Sequence, residues 1–419
     1  MDGTGEQRFA ELLRAHRTRR RMTQQQLADL STVSVRAISD LEAGRARRPR
    51  RDTVRLIADG LRLTGRPRLD FESAAHCSVD LDDVTLGDPV ASAAPPAPAD
   101  DTIGREEQVA ALTELLGVDG QRLTTIIGLP GVGKSRVALD VAGALHRDLN
   151  FPVLWSADDG GTAHRLAGLV RPAVCGSDAG AGVVLAALAA VVDSRPALLV
   201  LDGDRRDRPE PDRVLSLLRD CPALRILATA RAPLGVFGER VVPLPPLPVP
   251  AAGQVDIVSV PSVRLLLRHV RRVRPGFTMN AAVAPIVAAL CRAVDGLPAA
   301  LEAVADWLLL YDVDQLLDLV RVDPFVVLDH RPGDDLRTRL CAVRRELTTD
   351  EATLLDHVTA LGTGWTVASA AAATGLPVPH CSRVVRGLVV RGLVAAGERA
   401  GFRALELVRA LFAAPAGAV

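Results

Sequence analysis

Lysine is nearly missing from this sequence: of 50 Lys and Arg residues among 419, 49 are arginine. Aromatic residues are also scarce, at 3%, so the cores must be built mainly from Leu, Val and Ala. The six cysteines (Cys77, Cys175, Cys221, Cys291, Cys341 and Cys381) form no CxxC pair and have no histidine at metal spacing. That excludes a zinc ribbon or disulfide framework and fits reduced thiols. The longest apolar stretch, Ala179–Val192, falls short of the ~20 residues of a membrane span. The N-terminus lacks the apolar run of a secretory signal. The expectation is a soluble, cytoplasmic protein with no membrane partner.

The one lysine, Lys134, stands in Gly128-Leu129-Pro130-Gly131-Val132-Gly133-Lys134-Ser135, the GxxxxGK[ST] pattern. An ammonium is a point charge that fits among phosphate oxygens inside a tight loop, whereas a guanidinium is a planar fork. Drift toward arginine accounts for the other 49 but poorly for where the survivor sits. A strand at Leu123–Ile127 and a helix over Arg136–Leu145 supply the context that a phosphate loop needs. Gly128, Gly131 and Gly133 let backbone N–H groups, that of Val132 included, turn toward phosphates. The helix start at Ser135 and Arg136 adds partial positive charge. Lys134 would bridge the β- and γ-phosphates, and Ser135 would bind Mg2+.

Two further strands carry candidate chemistry. Ala197–Leu201 ends in Asp202, placed to hold the metal's water shell, unless it is an ordinary turn aspartate. Gly203 cannot polarise a water; Asp204 is the candidate, and hydrolysis is expected to be slow. Leu224–Thr229 leads to Arg231, placed to sense a γ-phosphate. With Val153–Ser156 these strands alternate with helical stretches, the pattern of a parallel α/β sheet. A proline-rich exit, Val242 to Pro248, precedes a helical remainder, and no repeat of solenoid period is present.

Charge is uneven along the chain. Residues 1–76 hold 16 Arg against 10 acidic residues, although the whole chain is neutral. A basic head on an acidic body points to an anionic partner for the head. Within it, Thr23 caps a helix carrying Leu27 and Leu30 on one side. A short link leads to Ser34, which caps a second helix whose Ile38 and Leu41 face the core. Two helices so joined form a helix-turn-helix, whose second helix can enter a major groove of double-stranded DNA. Gln24, Ser34, Val35, Arg36, Ser39 and Asp40 are the candidate DNA contacts. Arg36 could reach a guanine edge and Val35 a thymine methyl. Clusters at Arg17, Arg19, Arg20 and Arg21, and at Arg45, Arg47, Arg48, Arg50 and Arg51, suit phosphate contacts and steep salt dependence.

Phe9–Leu63 resembles the Cro/phage-repressor (XRE) family, from Thr23-Gln24 to Ile38-Ser39-Asp40-Leu41-Glu42-Ala43-Gly44. This implies a five-helix domain ending in Arg66–Ala75. Residues 102–413 resemble the NB-ARC ATPases of the STAND class (signal-transduction ATPases with numerous domains). The likeness rests on Ile103-Gly104-Arg105-Glu106, on Leu227 to Leu234, on Asp295-Gly296-Leu297-Pro298 and on Gly401 to Arg409. It implies that Arg105 and Pro298 help hold the adenine of ATP or ADP and that Arg231 reads the γ-phosphate. It further implies a winged-helix subdomain acting as a nucleotide-dependent clamp, although Arg383, Arg386 and Arg391 leave a second DNA reader open. His164, His269 and His380 have no partner evident from sequence and read as structural.

The expected architecture is multidomain. A helix-turn-helix head (1–76) and a linker (77–101) precede a P-loop NTPase (102–250), a helical subdomain (251–325) and a winged helix (326–419). The combination resembles actinobacterial XRE/NB-ARC regulators. It implies a DNA-binding switch that forms nucleotide-dependent homo-oligomers. A signalling ATPase whose head binds protein, or a nucleotide-locked scaffold, are the alternatives.

Overall fold

The computed structural model describes residues 4–20, 22–43, 51–63, 71, 94–98, 100–157, 192, 196–203, 209–329, 336–397 and 401–413. The chain divides into two units, Met1–Ser92 with Gly168–Asp193, and Ala93–Ala167 with Ser194–Val419. Among the described residues no helix is long and apolar enough to cross a membrane. Cys221, Cys291, Cys341 and Cys381 are free thiols.

In the first unit four helices are described: α1 (Thr4–Arg19), α2 (Gln24–Ser31), α3 (Val35–Glu42) and α4 (Arg51–Gly60). Thr23 and Gln26 cap α2 reciprocally, the Thr23 hydroxyl accepting from Gln26 N at 3.1 Å and Gln26 Oε1 from Thr23 N at 2.9 Å. Thr32, at φ 55°, ends α2 in the left-handed region. Ser34 Oγ then accepts from Ala37 N at 3.2 Å and starts α3. Phe9, Leu13, Leu27, Ile38, Leu41 and Ile57 meet in one core. Leu30 departs from expectation and is 56% exposed. The buried face of α2 runs through Leu27, Ala28 and Ser31, spaced i, i+1 and i+4, and position 30 lies outside that stripe. The expected last helix over Arg66–Ala75 lies outside the described residues except for the buried, helical Phe71.

The second unit opens with α5 (Glu106–Gly117), β1 (Leu123–Ile127), α6 (Lys134–Leu149) and β2 (Val153–Ala157). It continues through β3 (Ala197–Asp202), α7 (Pro211–Asp220), β4 (Leu224–Ala230) and β5 (Arg240–Pro243). The five strands form a parallel sheet in the order β2-β3-β4-β1-β5. β5 runs into the start of the proline-rich exit, which masks its strand pattern in the sequence. It is an edge strand, where proline costs no ladder bond. The ladders pair Ile127 with Ala230, Leu201 with Ala228 and Ala157 with Asp202. The carboxyl ends of β1, β3 and β4 therefore come together, the place where open α/β sheets bind ligands.

Helices follow: α8 (Pro261–Val273), α9 (Ala284–Ala293), α10 (Pro298–Trp307), α11 (Val313–Val322) and α12 (Pro324–Leu328). The end of the chain combines α13 (Leu336–Arg345), α14 (Thr349–Ala360), β6 (Thr363–Trp365), α15 (Val367–Thr374) and α16 (Val378–Val390) with β7 (Val394–Ala396), β8 (Phe402–Ala404) and α17 (Glu406–Ala413). β6, β8 and β7 form a small antiparallel sheet. A single apolar core runs from β1 and α6 through α8–α10 to α14–α17, so these parts of the second unit pack as one body.

Candidate functional site

The loop after β1 opens onto a cavity of about 390 Å³, within the usual range for small-ligand sites. Gly131 and Gly133 take φ of 78° and 97°, conformations that let successive N–H groups point into the loop. Lys134 is buried, and its Nζ donates to the carbonyls of Gly128 at 2.9 Å and Leu129 at 3.0 Å. The ammonium is thus held inside the loop it would serve. Ser135 Oγ donates to Asp202 Oδ1 at 2.7 Å, joining the start of α6 to the end of β3. Thr229 Oγ1 on β4 donates to the same carboxylate oxygen at 2.7 Å and accepts from Gly203 N at 3.0 Å. Thr229 is not legible in the sequence as a site residue, because only the strand pairing sets it beside Asp202.

A magnesium ion fits this corner: a hydroxyl and a carboxylate in contact are hard oxygen ligands. Among the described residues no group of three or more His, Cys, Asp or Glu could hold a metal, so the remaining ligands would come from phosphate and water.

Arg105 and Pro298 both line the cavity, with Gly131, Val132, Gly133 and Arg136. Arg105 is 3% exposed and donates to the Val132 carbonyl at 3.1 Å. Burial pushes its guanidinium down to about 10, which leaves it charged at neutral pH. Pro298 opens α10, and Ala299 N donates to the Gly131 carbonyl at 3.1 Å. The loop of residues 128–135 and the helical region are therefore joined through the main chain. Arg136 Nε donates to Thr102 Oγ1 at 2.7 Å. Asp204 lies outside the described residues.

Arg231 follows β4 but does not line the cavity; its Nη1 donates to Glu346 Oε1 at 3.1 Å, just after α13. His269 lines the cavity beside Glu302, Nε2 to Oε1 at 3.5 Å. Burial holds the imidazole below its ordinary value. It therefore has a partner and a place at the site that sequence alone did not give it. His380 also has one, Asp350 Oδ2 at 2.6 Å. His164 lies outside the described residues. Arg391 pairs with Glu351 at 3.4 Å, both largely covered.

In the first unit, Arg36 on α3 and the capping Ser34 are exposed, while Ser39 and Asp40 are half-buried. Val35 packs partly against the core. Gln24 Nε2 donates to Glu42 Oε2 at 2.7 Å, and Arg17 grips the same carboxylate at 2.6 Å and 3.0 Å. Arg21, Arg45, Arg47, Arg48 and Arg50 lie outside the described residues.

Residues 8–71 match the family model described as a helix-turn-helix domain. The head is a helix-turn-helix domain. An uncharacterized protein of Mycobacterium tuberculosis (strain ATCC 25618 / H37Rv) is 30% identical over 211 residues, 48% of this chain and 49% of the relative. A protein of the same strain named "Putative HTH-type transcriptional regulator" is 33% identical over 191 residues, 44% of this chain and 20% of the relative. The matched stretch thus spans about half the length of the first relative and a fifth of the second. A STAND protein from Pyrococcus horikoshii with a tetratricopeptide repeat sensor overlays 76% of this chain and 43% of its own, at 13% identity and a TM-score of 0.32.

Proposed function

We propose that this chain is a nucleotide-switched, DNA-binding regulator of the STAND kind. The contact of Ser135 Oγ with Asp202 Oδ1, beside the buried Lys134, carries the proposal. It brings the phosphate loop and the acidic strand end together where a Mg2+-bound ATP or ADP needs them. In this reading Lys134 and the loop N–H groups hold the phosphates, Ser135 and Asp202 hold the metal, and Arg105 and Pro298 flank the adenine. The helix-turn-helix head binds duplex DNA through α3, with Arg36 outward. Residues 326–419 act as a winged-helix clamp on the site, and release of that clamp permits self-association. Arg391 supports the clamp over a second DNA reader, because it is spent on Glu351. Nothing polar is supplied by Gly203, and Arg231 is engaged by Glu346. Retention of nucleotide is therefore favoured over rapid turnover.

The test is binding of fluorescent ADP and ATP to the full chain and to Lys134→Ala, followed by duplex-DNA affinity in each nucleotide state. Loss of nucleotide binding in Lys134→Ala and a DNA affinity that differs between ATP and ADP are expected. A wild-type chain that binds neither nucleotide, or binds DNA equally in every state, would sink the proposal.

A further inference from the structure

Three residues outside every motif, Asp100, Asp101 and Thr102, form one wall of the cavity. Each is fastened by a different arginine. Arg272 Nη2 donates to Asp100 Oδ1 at 2.6 Å, Arg268 Nη1 donates to the Asp101 carbonyl, and Arg136 holds the Thr102 hydroxyl at 2.7 Å. Arg268 and Arg272 are one turn apart on α8, whereas Arg136 follows Ser135 on α6. The wall is thus tied to the helical region on one side and to the phosphate-loop helix on the other. Gly104 turns it into place at φ 68°, where a Cβ would lie 2.4 Å from Pro261 Cβ at the start of α8.

Two of the wall's three residues are acidic, as Glu302 is elsewhere in the lining. Lys134, Arg136, Arg268 and Arg339 suit a polyanion, but two carboxylates cannot attract one. The Asp100 carboxylate instead grips Arg272, while Asp101 offers Arg268 its main-chain carbonyl. The hydrogen bond from Arg272 holds the Asp100 carboxyl below its ordinary value, and the same bond raises Arg272.

We infer that residues 100–102 are a strap over the nucleotide cavity, and that the Asp100–Arg272 pair sets how long bound nucleotide stays. The inference rests on the nucleotide reading of the site. Exchange of ligand then requires the ties to open. One residue separates the strap from the Pro/Ala segment 94–98, so a pull on that segment works against the same ties. Any such coupling is reciprocal: nucleotide that stabilises the strap also restrains the segment.

The experiment measures release of fluorescent ADP from the full chain after a chase with unlabelled ADP. Arg272 lies outside the cavity lining, so its removal deletes no side chain that lines the site, and Asp100→Asn, which removes the opposite charge, separates loss of the tie from loss of a nearby cation. Arg272→Ala and Asp100→Asn should each speed release about two- to fivefold, the effect of one partly exposed ion pair, with little change in association rate. The double variant should release no faster than the faster single one, because both remove one interaction. Release from Arg272→Ala at the wild-type rate, or additive effects in the double variant, overturns the strap. A wild-type chain that binds no labelled ADP overturns the nucleotide reading first, and the strap with it.

Discussion

The carboxylate of Asp295 accepts from Leu407 N at 2.9 Å, while Arg403 Nη1 donates to it at 3.0 Å. Asp295 is buried at φ 55°, three residues before the Pro298 that lines the cavity. Ala299 N is bonded to the phosphate loop through Gly131 O. The loop, the helical region and the small C-terminal sheet are therefore linked in series within about five residues of α10's start. Burial pushes the Asp295 carboxyl up, against the bonds from Leu407 and Arg403 that favour its charged form.

Asp295→Ala should lower the stability of the chain by about 2–3 kcal/mol, because it leaves a buried N–H and a guanidinium without their acceptor. Urea unfolding would register this as a lower midpoint. An unchanged midpoint would mean that the C-terminal segment is held by its apolar contacts alone.

Glu346→Gln should shift the ATP-to-ADP affinity ratio toward ATP by about two- to fivefold, the size expected of one partly exposed ion pair. The reasoning is competitive: Arg231 at the end of β4 is engaged by Glu346, and a γ-phosphate would have to draw it away. Competition titrations with the two nucleotides would decide it. An unchanged ratio would remove Arg231 from γ-phosphate sensing.

Gly131→Ala should cost about 1–2 kcal/mol from the left-handed backbone alone. The added Cβ would also stand 2.7 Å from Ala299 Cβ, so the loop must pull away from α10. Weaker ADP binding alongside a lower thermal midpoint is expected. Wild-type binding in this variant would show that the Gly131–Ala299 link does not shape the site.

Acid should loosen the helix-turn-helix head through Glu42. Burial alone would raise its carboxyl, but the hydrogen bonds from Arg17 and Gln24 outweigh it and hold the value below the ordinary one. A carboxyl depressed in the folded state contributes its full stability above the unfolded value of about 4.3. That contribution is lost as pH falls through the folded value. Glu42→Gln should therefore destabilise the head at neutral pH and flatten the acid limb of its unfolding curve. An acid limb identical to wild type would assign the loss to other carboxylates.

Much of the site was legible in sequence because its chemistry is local. The phosphate loop needs glycines, one ammonium and one hydroxyl within eight consecutive positions, flanked by a strand and a helix. Asp202 was legible for a similar reason, as a carboxylate ending an apolar run. What stayed hidden depends on distant partners. Thr229 joins Asp202 only because β3 and β4 are neighbours in the sheet. His269 and Glu302 meet across two helices, and residues 100 and 101 are held by arginines more than 160 positions further along the chain. In the head, the capped helices were readable from Thr23 and Ser34. The exposure of Leu30 was not, because the face that α2 buries is set by the helices packed against it.

The seating of Lys134 between two carbonyls has a consequence for chemical modification. The other 49 Lys and Arg positions are all arginine, so a reagent or enzyme that acts on side-chain ε-amines finds one target in this sequence. That target is a buried atom at the phosphate loop. Acylation there would erase the charge and crowd the loop in one event, and a ligand in the loop would shield it. For this chain, acylation of the ε-amine, resolved from that of the α-amine, is therefore expected to fall as the loop is occupied.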